Sequence, residues 1–68
     1  MTTPLELEAL RARLAVARQS HRAAVAELER LQNKRGGASA FALDIARQRL
    51  ELARRELQSA RRQLLRPL

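Results

Sequence analysis

The chain has 68 residues, with 14 lysines and arginines against 7 acidic residues, which gives a formal net charge of +7. A chain of this length forms at most one small domain, and such a domain buries only a modest share of its surface. It contains no cysteine and one histidine, His21, which excludes disulfides and metal sites built from thiolates or several histidines. Its stability must therefore come from regular helix packing or from a partner.

The first predicted element is a long helix over about residues 4–34. Thr3 is a suitable N-cap, and Pro4 suits the first helical position because its missing N–H group is not needed there. No helix breaker follows until Gly36 and Gly37. Glycine readily adopts the left-handed conformation that commonly ends a helix, so we expect the chain to turn at this pair.

A second helix is predicted over about residues 39–66, after a turn at about residues 35–38. Ser39 is a suitable N-cap for it. Alanine, leucine, glutamate and arginine are all strong helix formers, and they dominate the composition. Two helices of nearly equal length joined by a short turn favour an antiparallel pair. The sequence therefore predicts an all-α, antiparallel two-helix hairpin, with residues 1–68 as a single unit.

Both predicted helices carry apolar residues at alternating spacings of three and four. In the first helix these residues are Leu7, Leu10, Leu14, Ala17, His21, Ala24, Leu28 and Leu31, with His21 as the polar exception. In the second helix they are Leu43, Ala46, Leu50, Ala53, Leu57, Ala60 and Leu64. A pattern sustained over about four heptads is typical of coiled coils. We call the line of contact between these two sets the seam.

Folding the chain back at the glycines predicts which seam residues face each other. Counting outward from the turn sets a large residue against a small one in five layers, namely Leu28 with Ala46, Ala24 with Leu50, His21 with Ala53, Ala17 with Leu57 and Leu14 with Ala60. A large side chain facing a small one fills the seam without voids and lets the helices approach closely. This complementarity favours an intramolecular hairpin over parallel pairing of two chains.

An apolar stripe is predicted outside the seam, on one side of the hairpin. The heptad positions place five residues there, namely Val16, Ala23, Phe41, Ile45 and Leu52. Two helices cannot enclose these residues, and a contiguous exposed apolar surface usually marks an interaction site. Phe41 is the only aromatic residue and the natural anchor, since aromatic residues are enriched among interface hot spots. The stripe therefore predicts a protein-partner surface.

The opposite side of the hairpin is predicted to be a basic face. It carries six arginines, namely Arg11, Arg18, Arg22, Arg47, Arg54 and Arg61. Arginine suits the phosphates of nucleic acids and acidic side chains, although a solvated helix surface has the same composition. A single phenylalanine provides no platform on which bases could stack.

No catalytic or cofactor-binding motif is visible in the sequence. It has no nucleophile–base pair, no paired carboxylates in a pocket and no glycine-rich phosphate loop, so we expect neither an enzyme nor a cofactor. No apolar run approaches the roughly 20 residues that cross a membrane, and the N-terminus shows no secretion signal. The expected location is the cytoplasm.

The layout of the chain resembles the small needle co-chaperones of type III secretion systems. The resemblance rests on the length, the helical hairpin layout, the turn Arg35-Gly36-Gly37 and the aromatic Phe41 shortly after it. It implies a protein that joins a helical-repeat chaperone and holds the needle subunit unpolymerised.

Three functions remain open at this point. The first is a protein-binding adaptor or co-chaperone that docks through the apolar stripe. The second is a basic hairpin dimer that binds nucleic acid through its arginines, and the third is a structural coiled coil that assembles with itself.

Overall fold

The computed structural model describes residues 3–65, which form two α-helices joined by a loop. Helix α1 spans Pro4–Gln32 and helix α2 spans Ala40–Leu65. The helices pack side by side and antiparallel, in a rod whose Cα atoms extend over 54 × 14 × 12 Å. The predicted all-α helical hairpin is confirmed.

Hydroxyl side chains cap both helices at their N-termini, as the sequence predicts. Thr3 has an extended backbone, and its Oγ1 accepts a hydrogen bond of 3.1 Å from the backbone N–H of Glu6. The Oγ of Ser39 likewise accepts from the N–H of Ala42 at 3.1 Å. Each cap satisfies one of the N–H groups that the first turn of a helix leaves without a partner.

The first helix ends two residues earlier than the predicted limit of about residue 34. Asn33 is its C-cap, with φ −93° and ψ 0°, and the Asn33 N–H donates to the carbonyl of Glu29 at 3.0 Å. The N–H of Lys34 donates to the carbonyl of Leu31 at 3.4 Å. The final hydrogen bonds thus tighten as the helix stops, which is common at helix C-termini.

The glycine pair forms the bend itself. Gly36 and Gly37 have φ of 82° and 75°, a region that costs residues with a Cβ atom free energy. The N–H of Gly37 donates to the carbonyl of Lys34 at 2.9 Å. Because Lys34 and Arg35 belong to this turn, the helix cannot run through them, and the connection is longer than predicted.

The second helix begins at Ala40, one residue after the predicted limit, because Ser39 serves as its cap rather than as a helical residue. Its predicted end at residue 66 lies outside the described residues.

The buried core of the hairpin is a single row of seam residues. Among residues 3–65, six residues are buried, namely Leu14, Ala17, Ala46, Ala53, Leu57 and Ala60. Leu14, Ala17, Leu57 and Ala60 form one cluster, and Leu64 packs against it. These four residues make up two of the five predicted layers, so large and small side chains meet in this part of the seam.

Alanines are the most deeply buried residues of the hairpin. Ala60 is 1% exposed and Ala46 is 3% exposed, whereas Leu28 and Leu50 are only half-buried. A pair of helices encloses one line of contact, so a small side chain on that line is covered completely while a long one reaches past it. The hairpin therefore leaves two long flanks, one on each side of the seam, open to other molecules.

Neither of the two helices, as far as the structure describes them, has the combination of length and hydropathy that a membrane crossing requires.

Candidate interaction surfaces

The apolar stripe is largely exposed in the hairpin. Phe41 is 75% exposed, Val16 is 63% exposed and Leu52 is 58% exposed. Ala23 is exposed as well, whereas Ile45 is half-buried. Large apolar side chains that stay this exposed beside the seam are available to a partner.

The middle of the stripe is a shallow groove of about 490 Å³ between the two helices. The alanines Ala24, Ala46 and Ala53 of the seam lie in its lining, next to Ala23 and Leu52. Charged and polar residues complete it, namely Ser20, Glu27, Arg49 and Glu56. Short side chains keep the groove open, because nothing longer than a methyl group rises from the alanine positions.

A smaller hollow of about 240 Å³ continues the groove toward the turn. It is lined by Leu31, Phe41, Ala42 and Ile45 together with Glu27, Ala46 and Arg49, the last three of which also line the middle groove. Ile45, which is half-buried, lies in the lining of this hollow. Phe41 and Leu52 therefore belong to adjoining parts of one surface.

Val16 lies farther from the turn, in a third hollow with Arg13, Ala17 and Glu56. Glu56 also lines the middle groove, so this hollow extends the same surface. The structure thus places all five predicted stripe residues along one flank. We call this surface, from Val16 to Phe41, the apolar groove.

Charged residues border the apolar groove, and they form attractive pairs. Arg30 donates two hydrogen bonds to the Glu27 carboxylate, at 2.7 and 3.1 Å. These bonds lower the pKa of Glu27, and the positive charges of Arg30 and Arg49 add to the effect. At the far end, Arg13 Nη1 donates across the seam to Gln63 Oε1.

The predicted stripe contains only apolar positions of this flank and does not include these border residues. Glu27, Arg49 and Glu56 occupy the heptad positions directly beside the seam. Their position was available from the same heptad pattern, because residues that flank a seam on one side must also flank any groove there.

The other flank carries a groove of about 400 Å³ with a basic lining. Its lining consists of Arg18, His21, Arg22, Arg54, Leu57, Gln58 and Arg61. Four of the six arginines predicted for the basic face therefore meet around one groove, which we call the basic groove. Arg11 and Arg47 are exposed and do not line it.

Few of the arginines at the basic groove have a carboxylate partner. Arg54 lies 3.9 Å from Glu51, which also pairs with Arg55 at 3.5 Å. Within residues 3–65, no carboxylate oxygen lies within 4.0 Å of Arg18, Arg22 or Arg61. The positive charge of this groove is therefore little compensated.

His21 is half-buried in the seam and forms part of the basic groove. The described residues contain no group of three or more histidine, cysteine or acidic side chains that could hold a metal ion. The described residues thus present an apolar groove on one flank of the seam and a cationic groove on the other.

Comparison of the chain with protein-family models, with curated proteins and with solved structures finds no match. The resemblance to needle co-chaperones therefore stays a prediction from the residues that carry it.

Proposed function

We propose that the protein is a non-enzymatic adaptor that binds a helix of another protein in its apolar groove. The observation that carries the proposal is the continuity of exposed Phe41 and Leu52 with an alanine-lined groove between α1 and α2. Amphipathic helices commonly dock in such grooves through apolar anchors spaced along one face.

The shape of the groove favours a helix as the bound element. Alanines at its floor let a third helix approach as closely as helices pack in bundles, at roughly 8–10 Å between axes. Leu52 and Phe41 stand beside that floor, where they would contact apolar side chains of the incoming helix. The paired charges at the border leave this flank nearly neutral, so apolar contact rather than charge would dominate the binding.

More specifically, we propose that the protein is a needle co-chaperone of type III secretion and that it joins a helical-repeat chaperone. The resemblance in layout and in the turn Arg35-Gly36-Gly37 supports this form. Helical-repeat proteins present the surface helices that such a groove accepts. Binding would also stabilise the small hairpin by mass action.

The test is co-expression with the helical-repeat chaperone encoded nearest to this gene, followed by size-exclusion chromatography. We expect a stable complex with the wild-type chain. The substitution Phe41→Asp or Ile45→Asp should weaken it at least about 30-fold, the effect of removing one hot spot. Gln48→Asp, on the exposed outer surface of α2, introduces the same charge and should leave the complex intact.

Circular dichroism controls for the fold, because both stripe variants should keep the wild-type helix content. Co-elution of both variants at the wild-type yield would show that the stripe is not the docking surface. A third result would favour the structural coiled coil instead. In that case the wild-type chain self-associates in sedimentation, Phe41→Asp does not, and neither chain binds the chaperone.

A further inference from the structure

The two flanks of the seam differ in how their charges are arranged. In an antiparallel pair, residues beside the seam on one flank face each other across it, and coiled coils ordinarily place opposite charges or hydrogen-bonding partners there. The flank of the apolar groove follows this rule, with Arg13 bonded to Gln63 and Glu27 attracted by Arg49. The other flank does not follow it.

The basic groove brings together arginines from both helices without acidic residues in its lining. Arg18 and Arg22 come from α1, and Arg54 and Arg61 come from α2. Like charges brought together across a seam repel each other, so these residues oppose the hairpin rather than stabilise it. An anionic ligand between the arginines would replace this repulsion by attraction. The arrangement of the arginines is therefore explained by binding an anion and not by the stability of the hairpin.

The residue type and the spacing point to phosphate groups on a linear polymer. The guanidinium fork matches phosphate oxygens in a bidentate manner, which the ammonium of lysine does not. Arg54 and Arg61 lie one heptad apart, which is about 10.5 Å along a straight helix. Positive charges at regular intervals along the rigid hairpin match a linear polymer that carries negative charges at regular intervals.

The position of the apolar groove argues against a lipid surface as the ligand. A helix that lies on an anionic membrane needs basic residues that flank its apolar face. Here Phe41 and Leu52 lie on the opposite flank from the basic groove, and Leu57 within that groove is buried in the seam. The chain cannot set both surfaces against one membrane.

We propose that Arg18, Arg22, Arg54 and Arg61 form a binding site for the phosphodiester backbone of nucleic acid. Gln58 and His21 add hydrogen-bonding groups to the same groove. The lining contains no phenylalanine, tyrosine or tryptophan on which successive bases could stack, so we expect the site to recognise backbone charge rather than base sequence. This second surface goes beyond the proposed protein docking and does not depend on it.

The experiment measures fluorescence anisotropy of labelled duplex DNA, duplex RNA and their single strands, each in two unrelated sequences. The test variant replaces Arg18, Arg22, Arg54 and Arg61 with glutamine. The control variant replaces Arg30, Arg35, Arg55 and Arg62 with glutamine. These four arginines do not line the basic groove, and the control variant has the same net charge as the test variant. Both should keep the wild-type helix content in circular dichroism.

We expect wild-type binding that is the same for both sequences and falls steeply with salt. The groove variant should bind at least about 30-fold more weakly at low salt, and its slope of log K against log salt should be smaller by about 3 to 4. The control variant should stay within about threefold of wild type. If the groove variant unfolds, Arg18→Gln and Arg61→Gln alone should each reduce the slope by about 0.9.

Several results would overturn the site. These are absence of binding at 25 mM salt, an equal loss in the control and groove variants, and competition by poly-glutamate as effective as by nucleic acid. The last result would assign the groove to an acidic protein. Phe41→Asp should bind nucleic acid as the wild type does, so failure of the docking proposal leaves this one standing.

Discussion

At the scale of single residues, two leucines of α2 show how strongly burial in the seam distinguishes otherwise identical side chains. Leu57 is 8% exposed and packs with Leu14, Ala17 and Ala60, whereas Leu52 is 58% exposed in the apolar groove. Both sit in the same helix with the same intrinsic propensity. Any difference between them in the free energy of unfolding therefore reports burial.

We expect Leu57→Ala to lower the free energy of unfolding by about 2–3 kcal/mol, because it removes buried methyl groups and leaves a cavity. Leu52→Ala should change it by less than about 0.5 kcal/mol, as is usual for surface sites. Urea unfolding followed by circular dichroism measures both. Equal losses would mean that Leu52 is buried in solution, as in a self-associated form.

Glu27 is the residue whose ionisation the structure perturbs in a testable way. The hydrogen bonds from Arg30 lower the pKa of Glu27 below its ordinary value of 4.5. A carboxylate with a lowered pKa in the folded state stabilises the fold above its unfolded-state pKa, and this contribution disappears as the pH falls through the lowered value.

We expect an NMR titration of the side-chain carboxyl carbons to show the Glu27 pKa below 4.5 in the wild type. The variant Arg30→Gln should raise it toward that value, since the largest cause of the shift is removed. Arg62→Gln, far along the other helix, should leave it in place. A Glu27 pKa that does not respond to Arg30→Gln would assign the shift to Arg49 instead.

At the scale of elements, the loop between the helices depends on the backbone of its two glycines. A Cβ atom built at Gly36 or Gly37 would meet no heavy atom within 4 Å outside that glycine and its two neighbours in the chain. A substitution there is therefore opposed by backbone conformation alone, since both residues have positive φ.

We predict that Gly36→Ala destabilises the hairpin by about 1–2 kcal/mol, the cost of a left-handed L-residue. A synthetic chain with D-alanine at the same position should be at least as stable as the wild type, because positive φ suits D-residues and the unfolded chain loses entropy. Thermal unfolding compares the three chains. If D-alanine lowers the thermal stability as much as L-alanine does, the space around the side chain, and not the backbone conformation, restricts substitution at this position.

At the scale of the whole molecule, the net charge of +7 is unevenly arranged over the two flanks. The apolar groove is bordered by attractive pairs, whereas the basic groove collects arginines from both helices. Repulsion between exposed like charges weakens as salt screens them, because the Debye length falls from about 30 Å at 0.01 M to about 8 Å at 0.15 M.

Raising the salt from 10 to 150 mM should therefore raise the midpoint of urea unfolding, in contrast to proteins stabilised by surface ion pairs. The double variant Arg18→Gln/Arg54→Gln should be more stable than the wild type at 10 mM salt and nearly equal to it at 150 mM. Arg55→Gln/Arg62→Gln is the charge-matched control. A wild-type midpoint that falls with salt would show that attractive pairs outweigh the repulsion.

Much of the element structure followed from local chemistry. Their hydroxyl groups and positions predict Thr3 and Ser39 as caps, and both accept the expected backbone hydrogen bonds. Helix α1 ends two residues before its predicted limit, because the turn at the glycines also uses Lys34 and Arg35. The conformational preference of glycine predicts where the chain bends, but it does not predict how many residues the connection needs.

The sequence by itself determined the hairpin, since the heptad spacing of leucine and alanine leaves each helix one face to bury and the glycines let the chain reverse. It also assigned Phe41 and Leu52 to one side and the arginines to the other, because helical periodicity sets those angles. Only the tertiary structure decided which of these side chains meet across the seam: Glu27 is attracted by Arg49, and Arg18, Arg22, Arg54 and Arg61 line one groove. Those arrangements depend on the axial register between two helices, and register is set by packing across the seam rather than by either helix alone.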